Sequence, residues 1–250
     1  MMTPREACPQ CGSRWDKRNG HLQTGKQNHR GNVCGRALVL TPENSVITEE
    51  QRVLSARRLL ERISLRGIGR AVGVGLQWLL PLMGARFQAA PEHLYVKPAD
   101  GVPAVILQRG EAELDELWSF AGKKANRNWI WIAMAAATRQ ILAFHVGDRS
   151  GQSAHALWQK LPAVDQEQAT FYPDQYTVYT GVIPPARHHP ISQLARKTNH
   201  VERVNCTLRQ RVSRLVRATL SVSKKLSNHT GAIRYFIGAY NLTKSAALPG

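Results

Sequence analysis

Acidic residues are scarce in this chain of 250 residues, and they thin out further towards its end. There are 17 Asp and Glu against 34 Lys and Arg, a formal charge of +17. From Gln175 to Gly250 the chain carries 12 Lys or Arg and a single acid, Glu202. A surplus of this size favours a polyanionic partner, because each phosphate contact releases counterions. No uninterrupted apolar run reaches the roughly 18 residues of a membrane span, and no lipidation motif is present, so nucleic acid ranks ahead of an anionic membrane surface. The opening MMTPREACPQC lacks the apolar core of a signal peptide. Four cysteines, Cys8, Cys11, Cys34 and Cys206, are too few and too scattered for a disulfide framework. These absences lead to the expectation of a cytoplasmic protein with access to DNA.

What is present divides into four stretches. Residues 1–40 are poor in apolar residues and cannot build a core alone. They begin with Cys8-Pro9-Gln10-Cys11-Gly12 and close with Val33-Cys34-Gly35-Arg36, the turns of a zinc-ribbon-like segment. The second turn is broken, since Gly31 stands three residues before Cys34 and cannot ligate metal. Zn2+ on Cys8, Cys11 and Cys34, helped by His29 or His21, and a loop-rich segment without metal both remain open. Residues 46–84 read as helical. Thr48 precedes Gln51 as in a capping box, and Val53, Leu54, Ala56, Leu59, Leu60 and Ile63 recur at helical spacing. LRGIGRAVGVGLQWLL then has a helix-turn-helix rhythm, with a helix over 65–72, a turn at Gly73 and a second helix from about Gly75. Gln77 would reach base edges, whereas Pro81 is expected to end or kink that helix early. A plain helical hairpin is the competing reading. Residues 85–110, with Pro91, Pro98, Gly101 and Pro103, read as a linker.

From there the pattern turns to strands. Val105–Gln108, Glu111–Phe120, Trp129–Met134 and Ile141–Val146 are extended, a helix fits 152–161, and Ala169–Tyr172 is a short strand leading to Asp174. Helices fit 199–217 and 227–242. Three strands, a helix, a fourth strand and later helices describe an α/β, ribonuclease H-like layout over 111–245.

Phosphodiester chemistry on DNA requires converging carboxylates that recruit divalent metal inside a basic cleft. Asp115 lies on a strand whose period of two puts Glu111, Glu113 and Asp115 on one face. Asp174 ends a strand and reads equally as a metal ligand or a turn residue. Glu202 lies beside an apolar stripe of Val201, Val204, Leu208, Val212 and Leu215. It reads evenly as a catalytic acid or as a salt-bridge partner of Arg203, Arg211, Arg214 or Arg217.

Asp115-Glu116-Leu117-Trp118, Trp129-Ile-Trp-Ile-Ala, His145-Val-Gly-Asp148-Arg149-Ser, Asp174-Gln-Tyr-Thr-Val-Tyr and the long stretch Thr198–Leu215 resemble the insertion sequence one family of transposases. The resemblance covers nearly the whole chain. It implies a catalytic Asp–Asp–Glu triad of Asp115, Asp174 and Glu202 binding Mg2+ or Mn2+. The implied reaction cleaves the ends of a mobile element and transfers the 3′ hydroxyls to target DNA. Asn199, His200, Arg203, Arg209, Arg211 and Arg214 are the expected DNA contacts. The expected partners are double-stranded element ends and target DNA, with a homo-oligomer forming on DNA in the nucleoid, away from membranes. Gly31, Pro81, Ala135 and Pro173 depart from the family pattern. A catalytically inactive DNA-binding regulator, derived from a decaying transposase copy, is the alternative.

Overall fold

The computed structural model describes residues 7–8, 11–14, 17–40, 47–94, 96, 110–191, 198–215 and 223–246. The strand expected at Val105–Gln108 lies outside the described residues. The chain divides into two compact units, Met1–Thr48 and Glu49–Gly250.

The first unit holds an antiparallel sheet of β1 (Lys17–His21), β2 (Gln27–Arg30) and β3 (Ala37–Leu38), in that order. Gly25, at φ 76°, supplies the left-handed residue that turns β1 into β2, and its N–H donates to Leu22 O. Burial here is slight. Cys8 and Leu38 are buried, and Cys34 and Leu40 pack against them.

The second unit begins with α1 (Glu49–Arg58), α2 (Leu65–Val72) and α3 (Leu76–Gln88). Ser64 caps α2 by accepting from Gly67 N, and Gly73, left-handed at φ 73°, closes it. Gln51 donates its side-chain amide to Val72 O, tying α1 to the end of α2. Pro81 does not end α3, which runs on to Gln88. Leu79, Met83 and Phe87 recur every four residues on its buried side. Met83 and Phe87 pack on Ala232 and Tyr235, so tertiary burial overrides the local cost of the proline.

The main sheet contains β4 (Glu111–Phe120), β5 (Arg127–Ala135), β6 (Ile141–Gly147) and β7 (Thr170–Tyr172), in the order β6-β5-β4-β7. The first three form an antiparallel meander, and β7 lies parallel to β4. Beyond β7, His188 bridges Phe171 in parallel, and Ile191 N donates to Pro173 O. The crossover from β6 to β7 passes through α4 (Gly151–Trp158) and α5 (Ala163–Gln168). α6 (Asn199–Arg211) and α7 (Leu226–Ala246) follow.

Each face of the sheet has its own core, which is why β5 reads as a continuous apolar run. Ile130, Ile132 and Met134 of β5 pack with Val201, Val204 and Leu208 of α6 and with Ile233, Phe236 and Ile237 of α7. Trp131 and Ala133 pack the other way, with Leu157, Phe171 and Tyr179. Asn241 of α7 is fully buried; it accepts from Ile141 N and donates to Ile141 O and Leu94 O, anchoring the start of β6. α6 is shorter than the expected 199–217. Val212 is extended, and a 3-10 turn at Ser213–Leu215 lets Val212 and Leu215 keep their place in the core. α4 likewise stops at Trp158.

Candidate active site

β4 carries acids to both faces of the sheet. On the α6 face, Glu113 is almost completely buried, and all its acceptor capacity is turned on the start of α6. Its Oε2 accepts from His200 N at 3.0 Å and Val201 N at 2.9 Å, and Oε1 lies 2.6 Å from His200 Nδ1. Thr198, the residue at the cap position, makes no side-chain cap. The carboxylate of another strand therefore satisfies the first-turn amides, where a negative charge is also favoured by the helix dipole.

Asp115 follows two residues later on the same face. Its Oδ1 accepts from Glu116 N at 2.8 Å and its Oδ2 from Asn205 Nδ2 at 2.7 Å. α6 is thus pinned to β4 at two points, one on each side of Glu202. Burial is the main influence that pushes the Asp115 carboxyl up to about 6; the two hydrogen bonds oppose it, and the charges of Asp174 and Glu202 add to it. Asp174 and Glu202, the other two acids singled out from the sequence, are therefore both close enough to act on Asp115.

Register explains the arrival of Asp174. The parallel pairing matches Glu111 with Thr170 and Glu113 with Tyr172. Asp174 follows two residues after the end of this pairing, as Asp115 follows Glu113, and its charge acts on the Asp115 carboxyl. Its Oδ1 accepts from Tyr176 N at 3.1 Å, the bond of an Asx turn. The turn role and the proximity to Asp115 coexist in one residue. Pro173, buried just before it, gives up an N–H but keeps its carbonyl paired with Ile191. Glu202, exposed in the first turn of α6, accepts from Thr198 Oγ1 at 3.2 Å.

Glu116, on the opposite face of β4, was not singled out from the sequence. Its side chain is 2% exposed. Tyr179 Oη donates to its Oε1, and Arg149 Nη2 donates to its Oε2 at 3.3 Å. Burial pushes its carboxyl up to about 7, with Asp174 and Asp115 adding and Tyr179 and Arg149 opposing. The Arg149 guanidinium is held between Trp129, at 4.5 Å, and Tyr176, at 4.4 Å. The one local signal for this group was the adjacency of Asp115 and Glu116, since its other members come from three separate elements.

The expected DNA contacts separate into two groups. Gln77, Asn199 and Arg203 are exposed, and Arg209 is half-buried. His200 is held by Glu113. Arg211 and Arg214, by contrast, are used inside the fold. Arg211 pairs with Glu61 at 2.6 Å and lies over Phe236, while Arg214 donates to Ser223 Oγ and Met83 Sδ. α6 ends at Arg211, which turns both arginines towards the α1–α3 helices.

In the first unit, Cys8, Cys11 and Cys34 bring their sulfurs within 4.8 Å of one another. Among the described residues neither His21 nor His29 joins this group. A Cβ on Gly31 would lie 3.4 Å from Cys34 Sγ, so the position of the broken motif is beside this group. Hydrogen bonds from Ser13 bring the Cys11 thiol down to about 7.

Residues 110–242, which span β4 through most of α7, match a family model described as IS1 transposase. The chain belongs to the IS1 transposase family. It is similar to the insertion element iso-IS1n protein InsB of Shigella dysenteriae, with 35% identity over 127 residues, 50% of this chain and 92% of that relative. The insertion element IS1 protein InsB of Shigella flexneri is 31% identical over 126 residues, again 50% of this chain and 92% of the relative. An IS1 2 InsB protein of Escherichia coli (strain K12) is 29% identical over 126 residues, covering 50% of this chain and 72% of its own length. The IS1 family match thus falls on the strands and helices that carry Asp115, Asp174 and Glu202. Among the described residues no helix is long and apolar enough to cross a membrane.

Proposed function

We propose that this IS1-family chain is an active DNA transposase with a ribonuclease H-like catalytic domain and Asp115, Asp174 and Glu202 as its metal-binding acids. The observation that carries the reading is the approach of Asp174, from the end of β7, and Glu202, from the first turn of α6, to Asp115 on β4, where both charges act on its carboxyl. The strand order β6-β5-β4-β7, with three antiparallel strands and a parallel fourth, supports the fold assignment.

The donor set fits hard divalent cations, since all three ligands are carboxylate oxygens. Among the described residues these acids do not close within 4.8 Å around a single point. Two ions about 4 Å apart, each bound at about 2 Å, would separate outer carboxylate oxygens by up to about 8 Å, so open spacing suits a paired site. Mg2+ or Mn2+ bound there would supply positive charge to the attacking and leaving oxygens. Asp115 is oriented by Glu116 N and Asn205, and Glu113 and Asn205 hold the start of α6, which carries Glu202, against β4. In the first step water attacks phosphorus at the element end, and the 3′ oxygen leaves and takes up a proton. In the second, that 3′ hydroxyl loses its proton, attacks a target phosphorus and displaces the target's 3′ oxygen. Both are in-line displacements that one site can serve.

Asn199, His200, Arg203 and Arg209 surround the start and middle of α6 and would steady the DNA backbone. Gln77, Arg66 and Arg70 are exposed around the tight α2–α3 turn and suit reading of the element end in the major groove. Cys8, Cys11 and Cys34 supply three of the four ligands of a structural Zn2+. Two element ends must be joined to one target, which calls for at least a dimer on nucleoid DNA.

The test uses purified protein, Mg2+ and a labelled element end, with Asp115→Asn as control. Cleavage by the wild type alone is expected. Cleavage by both proteins, or end binding without cleavage by either, overturns the reading, and the second result favours a DNA-binding regulator.

A further inference from the structure

Asn205 lies one turn after Glu202 on the side of α6 that faces β4. Its side-chain Nδ2 donates to Asp115 Oδ2 at 2.7 Å. The other arm of the amide, Oδ1, is buried and has no hydrogen-bond partner among the described residues. The residue as a whole is 7% exposed. Reversing the amide would point an oxygen at the Asp115 carboxylate, so the orientation is fixed by charge. Buried polar atoms are overwhelmingly paired in native proteins, and an orphaned acceptor marks a place where a missing donor belongs.

The location of that donor is bounded. The two heavy atoms of an amide end lie about 2.3 Å apart, so Oδ1 is within about 5 Å of Asp115 Oδ2 by the printed bond and the standard geometry of the group. A group that donates to Oδ1 from about 3 Å therefore lies within about 8 Å of Asp115 Oδ2. It must be a donor, and among the described residues the fold provides none. A water in the hydration shell of a divalent cation has the required chemistry. Small hard cations retain several waters, and a cation-bound water is a strong hydrogen-bond donor with no need to accept.

We infer that Asn205 is a positioning residue of the metal centre, with its Nδ2 orienting Asp115 and its Oδ1 accepting from a water bound to the cation that Asp115 and Glu202 hold. This rests on the metal-binding role proposed above for Asp115. It adds a residue that touches no phosphate and acts through Asp115 and a bound water. The i, i+3 spacing of Glu202 and Asn205 puts a cation ligand and its outer support on one helix, so that docking α6 on β4 assembles both together.

The test is Mn2+ binding to the full chain without DNA, followed by isothermal titration and by the electron paramagnetic resonance of free Mn2+, alongside melting temperature with and without the ion. Wild type, Asp115→Asn, Asn205→Ala and Asn205→Asp are compared. Asp115→Asn should lose binding. Asn205→Ala should weaken Mn2+ about 10- to 100-fold, the usual effect of removing an outer-shell partner, and lose most of the melting rise that Mn2+ causes. Asn205→Asp keeps an acceptor oxygen but loses the donor to Asp115. It should melt lower without metal yet retain Mn2+ affinity within a few-fold of wild type. Asn205→Ala binding Mn2+ as the wild type does, while Asp115→Asn fails to bind, overturns the role of Asn205 and leaves the acids' role standing. If Asn205→Ala does not fold, a loss of Mn2+ affinity in Asn205→Asp as large as in Asp115→Asn also overturns it. Equal binding by wild type and Asp115→Asn instead removes the metal-site reading and this inference with it.

Discussion

The two faces of the main sheet hold their helices in different ways. On the α6 face, buried acids of β4 reach across the core, with Glu113 capping the helix and Asp115 bonding Asn205. On the α4 face the contact is apolar and aromatic: Trp131 meets Tyr179 edge-on at 5.7 Å, and Trp158 meets Phe171 at 5.0 Å. Its one buried acid, Glu116, is answered by Tyr179 and Arg149. The apolar face tolerates small shifts because packing is not directional. The polar face does not, because a helix fixed by hydrogen bonds has one correct depth and rotation, which is what the role proposed for Glu202 on that helix requires.

The sharpest break of this contrast is Glu113→Ala. It removes the acceptor for two backbone N–H groups and His200 at once, and about 3 kcal/mol of stability should be lost. Urea unfolding measures the loss, and Mn2+ affinity should fall with it because Glu202 is no longer held. A loss below about 1 kcal/mol would mean that α6 is seated by its apolar stripe alone.

Gly231→Ala probes a purely apolar contact, where α7 meets α3. A Cβ there would lie 2.8 Å from the Phe87 Cβ, so the two helices must separate. A loss of about 1–3 kcal/mol is expected, without the fall in Mn2+ affinity seen for Glu113→Ala. On the α4 face, Arg149→Lys keeps the charge but loses the flat guanidinium between Trp129 and Tyr176; about 1 kcal/mol should go.

The smallest effect is in pH dependence. Glu116 has its carboxyl raised to about 7. Between about pH 4.5 and 7 the folded protein therefore holds a proton that the unfolded chain has released, so this contribution to stability is fully present below about pH 4.5 and is lost as pH rises to about 7. His229 has the opposite sign. Burial, helped by the charge of Arg214, lowers it to about 4, so it destabilises the fold as pH falls from about 6.5. Below about pH 6.5 the two slopes oppose each other, and between about pH 6.5 and 7.5 the remaining part of the Glu116 titration outweighs that of His229. Glu116→Gln should flatten the fall in metal-free melting temperature over that window, whereas His229→Gln should change the slope only below it. An unchanged slope in Glu116→Gln would show that Glu116 is already ionised throughout.

Much of the region matched by the family was legible because periodicity and burial agree there. The alternation in Glu111–Phe120 placed Glu113 and Asp115 on one face, and the three- and four-residue steps of Val201, Val204 and Leu208 marked the buried side of α6. Pro81 misled because local cost was weighed without the α7 surface that α3 covers. Arg211 and Arg214, expected as DNA contacts, also have partners within the fold that charge along a helix could not reveal: Glu61 for Arg211, and Met83 and the Phe87 ring for Arg214.

The sequence by itself determined that three acids would stand in a basic, mixed α/β chain, and which strands and helix would carry them, since these follow from composition and from periods of two and 3.6. Only the tertiary structure decided how they meet. The parallel pairing of β7 with β4 carries the chain that follows it, with Asp174, towards Asp115, and Glu113 holds the start of α6. Glu116 and Asn205 acquire roles from neighbours 33 to 90 residues away along the chain. A side chain's chemistry is local, but the field, the burial and the partner that give it a function come from residues that sequence order does not bring together.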